Sequence, residues 1–271
     1  YREIWSFYNT GATAEVDSLL GVKYILSKTD LSRQKGYPLL TQVDDVGVYQ
    51  NTNALPLAML ADPQITEVSM GKKDYFALHN EIWSGICGEE TQVLSPANQD
   101  SIALINLEKS TDAAGNVVYR KIDTAQEACL RYEITVTQQM PLYFYFSAPS
   151  TQNVTLRING EDRGAYFDVY RWDISCAGTY QPGDTVSIDL IPGAHTMTVR
   201  ESYFYYEDLQ ALTAATQSIQ DSYAVVNKQS SSHLTGEITA QKNGYLFYCL
   251  PYFRIHGFLH HFLRNADTHS F

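Results

Sequence analysis

The stretch NVTLRING, residues 153–160, decides how the middle of this chain is read. Val154, Leu156 and Ile158 alternate with Thr155, Arg157 and Asn159, the two-residue period of a strand with one dry and one wet face. Asn159-Gly160 then supplies the pair that a tight hairpin turn favours. Outward from it the same grammar repeats. SIALINL (101–107), NVVYRK (116–121), CLRYEITV (129–136) and LYFYFSA (142–148) come before it. AYFDVYRWDI (165–174), DTVSIDLIPG (184–193) and AHTMTVRESYFYY (194–206) follow. Between them lie turn-like DAAGN, APSTQN, NGED and QPGD. About eight short strands with no helical crossovers predict an antiparallel β-sandwich of jelly-roll type over 96–205 rather than a parallel sheet.

On both sides of this region the pattern changes. Residues 1–95 mix short strand-like runs with a helix over 73–87, where Tyr75, Leu78, His79, Ile82, Trp83 and Ile86 recur at helical spacing and Gly88 stands at the cap. Tyr75, Ile82 and Trp83 are the expected docking face. This part reads as a small mixed α/β domain. Residues 206–252 predict a second helix, over about 207–223 with Leu209, Leu212, Ile219 and Tyr223 as its stripe, and then returning strands. The fold class is thus mainly β with some α.

Composition agrees and excludes several functions. The chain has 271 residues, enough for one large or two medium domains, and its 20 Tyr and 11 Phe are strand formers. Thirty acidic residues against 19 Lys plus Arg give a formal charge of −11 without a basic cluster, so no nucleic acid is predicted as a partner. The same acidity argues against a surface built to lie on anionic lipid. Cys87, Cys129, Cys176 and Cys249 are too scattered for a zinc knuckle or a redox pair and leave zero to two disulfides open. No run of 18 apolar residues is present. Beginning at Tyr1 with no leader, the chain reads as a cut-out or processed piece of a larger protein.

No local signature for nucleotide binding, metalloprotease or serine-hydrolase chemistry occurs, and no catalytic residue or cofactor is predicted. His256, His260 and His261 imitate a metal cluster, but no ligating carboxylate has a fixed place beside them, so no metal is predicted. The aromatic tract YFDVYRWD (166–173) and its companion YFYF (143–146) offer flat rings of the kind on which sugars stack. Tyr170, Trp172, Asp168 and Asp173 are therefore candidate glycan contacts; the two aspartates would also suit a glycosidase if they converged on a cleft. Against this stands the plainer reading that half of these rings fill the core.

Four further blocks occur in a telling order: DSLLGVKYILSK (17–28), VGVYQNTNALPLAML (46–60), DYFALHNEIWSGICGEE (74–90) and KNGYLFYCLPYF (242–253). Through them the chain resembles bacterial YfhO-like membrane proteins. The resemblance rests on Leu20, Gly21, Val22, Lys23, Tyr24 and Ile25, on Tyr49, Asn51, Ala54, Leu55 and Pro56, on Asn80, Trp83 and Gly88, and on Gly244, Tyr245, Leu246, Pro251 and Tyr252. It implies a multi-pass glycosyltransferase that uses lipid-linked sugars, of which this would be an extracytoplasmic, membrane-held portion. The catalytic acid of such a parent is expected in an early loop outside this chain, so the fragment is expected to be non-catalytic alone. Its expected partners are the rest of the parent and a cell-envelope glycan or lipid-linked sugar. The apolar runs at 18–28 and 51–60 are expected to pack inside this unit. After Tyr252 the family pattern fails. The tail FRIHGFLHHFLRNADTHSF (253–271) is the expected product of a reading-frame change, which would leave the last sheet short of a strand. The rival readings are a secreted carbohydrate-binding module or glycoside hydrolase, and a structural protein-interaction domain.

Overall fold

A computed structural model describes residues 13–69, 71, 74–229, 234–240, 242–248, 259–263 and 268–270, the last two ranges as backbone. The chain divides into two compact units, one of them inserted in the other: Ser95–Glu207 forms the inserted unit, and Thr13–Leu94 joins the described residues beyond Asp208 in a flanking unit.

The flanking unit opens with helix α1 (Ala14–Leu19) and strand β1 (Tyr24–Ser27). Helix α2 (Leu31–Lys35) follows, capped by the Asp30 carboxylate on the Ser32 N–H and ended by Gly36 at φ 69°. Strands β2 (Leu39–Val43) and β3 (Val46–Gln50) meet through a turn at Asp44, whose φ is 53°, and give a sheet of order β1-β3-β2. Strand β4 (Ala58–Ala61) is buried at every position. Helix α3 (Tyr75–Cys87) starts on Asp74, whose Oδ1 accepts the Phe76 and Ala77 N–H groups, and stops at Gly88 with φ 78°. The helix lies where its spacing predicted, but its buried stripe is Phe76, Leu78, Trp83 and Ile86, while Tyr75 is exposed and Ile82 half-buried. The docking face is thus rotated from the one expected.

In the inserted unit, β5 (Leu94–Pro96) leads to β6 (Ser101–Ile105), β7 (Leu107–Thr111), β8 (Val117–Lys121) and β9 (Cys129–Thr135). Then come β10 (Pro141–Ser147), β11 (Val154–Ile158), β12 (Glu161–Tyr166) and β13 (Trp172–Thr179). The last strands are β14 (Thr185–Pro192), β15 (Thr196–Thr198) and β16 (Glu201–Glu207). They form sheets of order β12-β11-β14-β9-β6, β13-β10-β16-β5 and β15-β8-β7, antiparallel in the pairings from β6 to β16, with register shifts at Leu142/Tyr143 and Leu156/Arg157. One buried cluster draws Tyr132, Ile134, Leu156 and Ile188 from the five-stranded sheet and Phe144, Phe146 and Phe204 from the four-stranded one. Phe146 alone meets Tyr132 at 5.0 Å and Phe204 at 5.7 Å between ring centroids. Each such buried ring contributes about 1.5–3 kcal/mol. Mainly β with some α is therefore the architecture, in several open antiparallel sheets. Of the expected jelly-roll sandwich the antiparallel sheets are present, while no sheet among the described residues closes on itself: β12 and β6 end one, β13 and β5 the other.

The chain then returns to the flanking unit. Helix α4 (Leu209–Ser218), capped by Asp208 on the Gln210 and Ala211 N–H groups, is followed by a 3-10 turn at Gln220–Ser222, so the predicted helix breaks near Ile219. Strands β17 (Val225–Gln229), β18 (Leu234–Thr239), β19 (Gly244–Tyr248), β20 (Leu259–Leu263) and β21 (Thr268–Ser270) complete two small sheets, β17-β18-β21 and β20-β19-β4. Leu60 in β4 pairs with Leu246 in β19, across nearly the whole sequence. Gly244 is required there, since a Cβ would meet the Ala61 carbonyl oxygen and, at 2.8 Å, Leu60 Cγ. The edge expected to be vacant on the last sheet is instead paired: β20, from the atypical tail, lies along β19, as an uncovered strand edge favours.

The two apolar runs part company here. Residues 58–61 are buried as expected, but β1 is not, with Tyr24 56% and Leu26 71% exposed. Burial at the start of the chain belongs instead to α1, where Ala14, Glu15, Asp17 and Ser18 are inside.

Candidate functional site

The predicted glycan contacts fall at the join between β12 and β13. Residues 165–174 are not one strand as expected: the chain leaves the sheet after Tyr166 and re-enters at Trp172. Phe167 forces the break, adopting φ 68° with its side chain 2% exposed and its ring 4.6 Å from that of Tyr166. The loop is pinned at both ends by backbone bonds, Gln152 N–H to the Phe167 carbonyl (2.9 Å) and Ala148 N–H to the Arg171 carbonyl (2.7 Å). Across it the Tyr166 hydroxyl donates to the Asp173 carbonyl at 2.7 Å. Burial, then the nearby Asp173 charge, raises the Tyr166 phenol well above its ordinary range, so it stays a neutral donor.

On this pinned loop Asp168 and Val169 are exposed, with the Asp168 carboxylate accepting the Val169 N–H at 2.8 Å. Tyr170 and Asp173 are half-buried, and Trp172 is 39% exposed. The Arg171 guanidinium sits 5.1 Å from the centre of the Trp172 ring. Register separates the two residues that sequence had grouped. Trp172 lies opposite Ser147, whose hydroxyl donates to Glu201 at 2.9 Å, whereas Asp173 lies opposite core-facing Phe146. Neighbours along a strand point to opposite faces, so Trp172 shares a face with Ser147 and Glu201 and not with Asp173. Arg171 and Glu201 were missed by sequence reasoning; Arg171 is the chain neighbour of Trp172, and only the pairing of β10 with β13 and β16 brings Glu201 to that side. The companion tract fails as a platform: Tyr143, Phe144, Tyr145 and Phe146 are all 3% exposed or less.

A second constellation lies in the flanking unit. Glu15, 0% exposed, takes a bond from the Thr13 hydroxyl (2.7 Å) and faces His79 Nδ1 at 2.6 Å through Oε1. Its Oε2 accepts Trp83 Nε1–H at 3.2 Å. Burial by itself would raise this carboxyl. The charge and hydrogen bond of His79, with the bonds from Thr13 and Trp83, outweigh it and hold the group below its ordinary 4.5. Asp17 accepts the Tyr37 hydroxyl at 2.7 Å, with Lys35 Nζ 4.0 Å away. With its oxygens occupied by protein donors, Glu15 is an anchor of α1 on α3 and not a base poised for a substrate proton. The helical spacing had placed His79 on the packed stripe; its partner, 64 positions earlier, left no local signal.

Burial pushes the Cys129 thiol up to about 12, which makes it inert at neutral pH. Among the described residues no group of three or more His, Cys, Asp or Glu could hold a metal. His256 lies outside them, and His260 and His261 are described only as backbone in β20.

The residues of the four ordered blocks gather in the flanking unit. Asn51, 1% exposed, donates to Ser18 Oγ at 3.1 Å, and the Leu55 N–H meets the Ser18 carbonyl at 3.0 Å. Asn80 accepts the Val93 and Leu94 N–H groups and returns a bond to the Leu94 carbonyl. Gly88 is needed because a Cβ there would collide with the Asp62 carboxylate, its Cγ at 2.5 Å. Pro251 and Tyr252 lie outside the described residues. This chain belongs to a family of bacterial membrane proteins: the family model "Bacterial membrane protein YfhO" matches residues 5–254. No helix among the described residues is long and apolar enough to cross a membrane. No curated protein matches the chain. Among solved structures, a Podospora anserina GH26-CBM35 beta-(1,4)-mannanase aligns with 43% of this chain and 27% of its own length, at 12% identity and a TM-score of 0.29. A likeness of that size bears on neither fold nor activity.

Proposed function

We propose that this region is the non-catalytic, extracytoplasmic part of a membrane-held protein of glycosyltransferase type, and that it recognises or positions a cell-envelope glycan acceptor. The observation that carries the reading is the exposed Trp172 ring at the mouth of β13, flanked by the Arg171 guanidinium and held in place by a loop tied at both ends. A flat ring beside polar groups stacks on a sugar's apolar face while its neighbours bond the hydroxyls. Ser147 and Glu201 share that ring's face, Asp168 and Tyr170 lie on the loop that leads to it, and the Asp173 carbonyl ties the loop to Tyr166. The two sheets sharing one core act as the two layers of a sandwich that presents this edge. The match to a family of bacterial membrane proteins over 5–254 supports membrane attachment. The match stops where the atypical tail begins, which favours a reading-frame change at that point. A glycoside hydrolase is the weaker reading, because Asp173 and Trp172 occupy opposite faces.

The test is a titration of the chain with soluble cell-envelope oligosaccharides, followed by tryptophan fluorescence. A saturable change that Trp172→Ala abolishes, with the sugar recovered intact, supports the reading. An equal response from Trp172→Ala, or release of new reducing ends by the wild type, sinks it.

A further inference from the structure

The β1-β3-β2 sheet of the flanking unit wears its apolar side outward. Register sets Leu26 beside Val48, and Val46 beside Val43, with Tyr24 at the end of the same face. Leu26 is 71%, Val43 65% and Tyr24 56% exposed, with Thr41 and Gln50 at polar positions of the same face. The opposite face carries Gly47 and Tyr49 of β3, both buried, with Leu39 and Gln42 exposed at its β2 edge. A sheet with one covered face ordinarily turns polar residues to water on the other, so an aliphatic bare face marks a contact surface.

We propose that this face seats on the headgroup–acyl boundary of a phospholipid bilayer, with zwitterionic lipid as its preferred surface. Three features favour lipid. The face is aliphatic and belongs to a sheet, and it ends in Tyr24, an amphipathic ring suited to the headgroup level. Lys23 places its ammonium 5.7 Å from that ring, and Lys28 stands at the other end of β1 in a 2.8 Å ion pair with Asp45, so the lysine stems border the patch while their heads stay in water. The rim carries both signs, Lys23 and Lys28 against Asp44 and Asp45, which complements headgroups that carry both. The formal charge of −11 opposes anionic lipid and a second copy of this chain, but not a neutral bilayer. Membership in a family of membrane proteins puts a bilayer within reach. The proposal is independent of the glycan reading, which rests on the other unit.

The experiment is flotation of the chain with phosphatidylcholine vesicles, alone or doped with phosphatidylglycerol, beside the double variant Leu26→Ser/Val43→Ser. Both positions are solvent-facing, and an unchanged circular dichroism melt checks that the variant folds. The wild type is expected to float with phosphatidylcholine and less well as phosphatidylglycerol is added, and the double variant to partition at least about tenfold more weakly. A wild type that stays in the lipid-free fraction, or a variant that floats equally, overturns the proposal. So does lipid-free sedimentation showing a wild-type dimer that the double variant abolishes, since the face would then serve a second copy.

Discussion

The inserted unit fills its interior with rings and aliphatic chains, Phe144, Phe146, Tyr132 and Leu190 among them, and places its charged pairs toward the solvent side of its sheets. There Arg131 holds Asp189 through two bonds of 2.8 Å, and Arg157 holds Glu127 through two of 2.7 and 3.0 Å. The inserted unit buries two carboxylates as well, Asp189 and Glu207, and leaves Ile102 and Ile122 exposed, but the flanking unit buries more polar side chains and links them by hydrogen bonds. It buries Glu15, Asp17, Ser18 and Asn51, while β1 and β2 leave Leu26 and Val43 in water. One unit is thus specified mainly by alternation and packing. The other depends on a buried hydrogen-bond network that tolerates no missing member, since a half-satisfied buried carboxylate costs more than an apolar replacement.

The contrast can be broken most forcefully inside the inserted unit. Phe146→Ala removes a 0% exposed ring in contact with Tyr132 and Phe204, and is expected to lower unfolding free energy by about 3–5 kcal/mol in a denaturant titration. In the flanking unit Glu15→Ala strands Thr13, Trp83 and His79 and should cost about 3 kcal/mol, near the low end for breaking a buried pair because the His79 side chain still reaches solvent. Gly244→Ala sets a Cβ against Leu60 and the Ala61 carbonyl, and about 1–3 kcal/mol of overpacking should appear in the same measurement.

Acid separates the units more finely. Glu15 has its folded-state pKa below its ordinary 4.5, so the stability it contributes is fully present above that value and lost as pH falls through the folded one. Wild type should therefore lose stability below pH 4.5 more steeply than Glu15→Gln, and parallel pH profiles would refute the link. The smallest expected change in stability comes from Trp172→Ala, about 1 kcal/mol, because the ring is partly exposed and lies outside the core; its larger consequence should lie in glycan binding.

The same contrast explains how far the residues could be read in advance. Val154, Leu156 and Ile158 declared β11 because one-sided burial imposes a period of two, and Gly88 declared the end of α3 because only a residue tolerant of positive φ fits there. The loop at 167–171 was hidden, since an unbroken aromatic tract suits a strand as well as a pinned turn. Burial of β4 and exposure of β1 were equally hidden: both runs are apolar, and what covers each is set by pairing with distant residues, Leu246 for the first. Of the proposed glycan site, the ring and its acidic neighbours were legible, while the separation of Trp172 from Asp173 by face, and the approach of Glu201, followed only from register.

The most direct test of the account uses the native, full-length gene product in its own cells. The cells are fractionated, and an antibody raised against residues 95–207 follows the protein before and after protease is added outside. The account predicts a product that pellets with membranes and is clipped from outside within this region. A freely soluble product, or one protected from external protease until the membrane is opened, would contradict it.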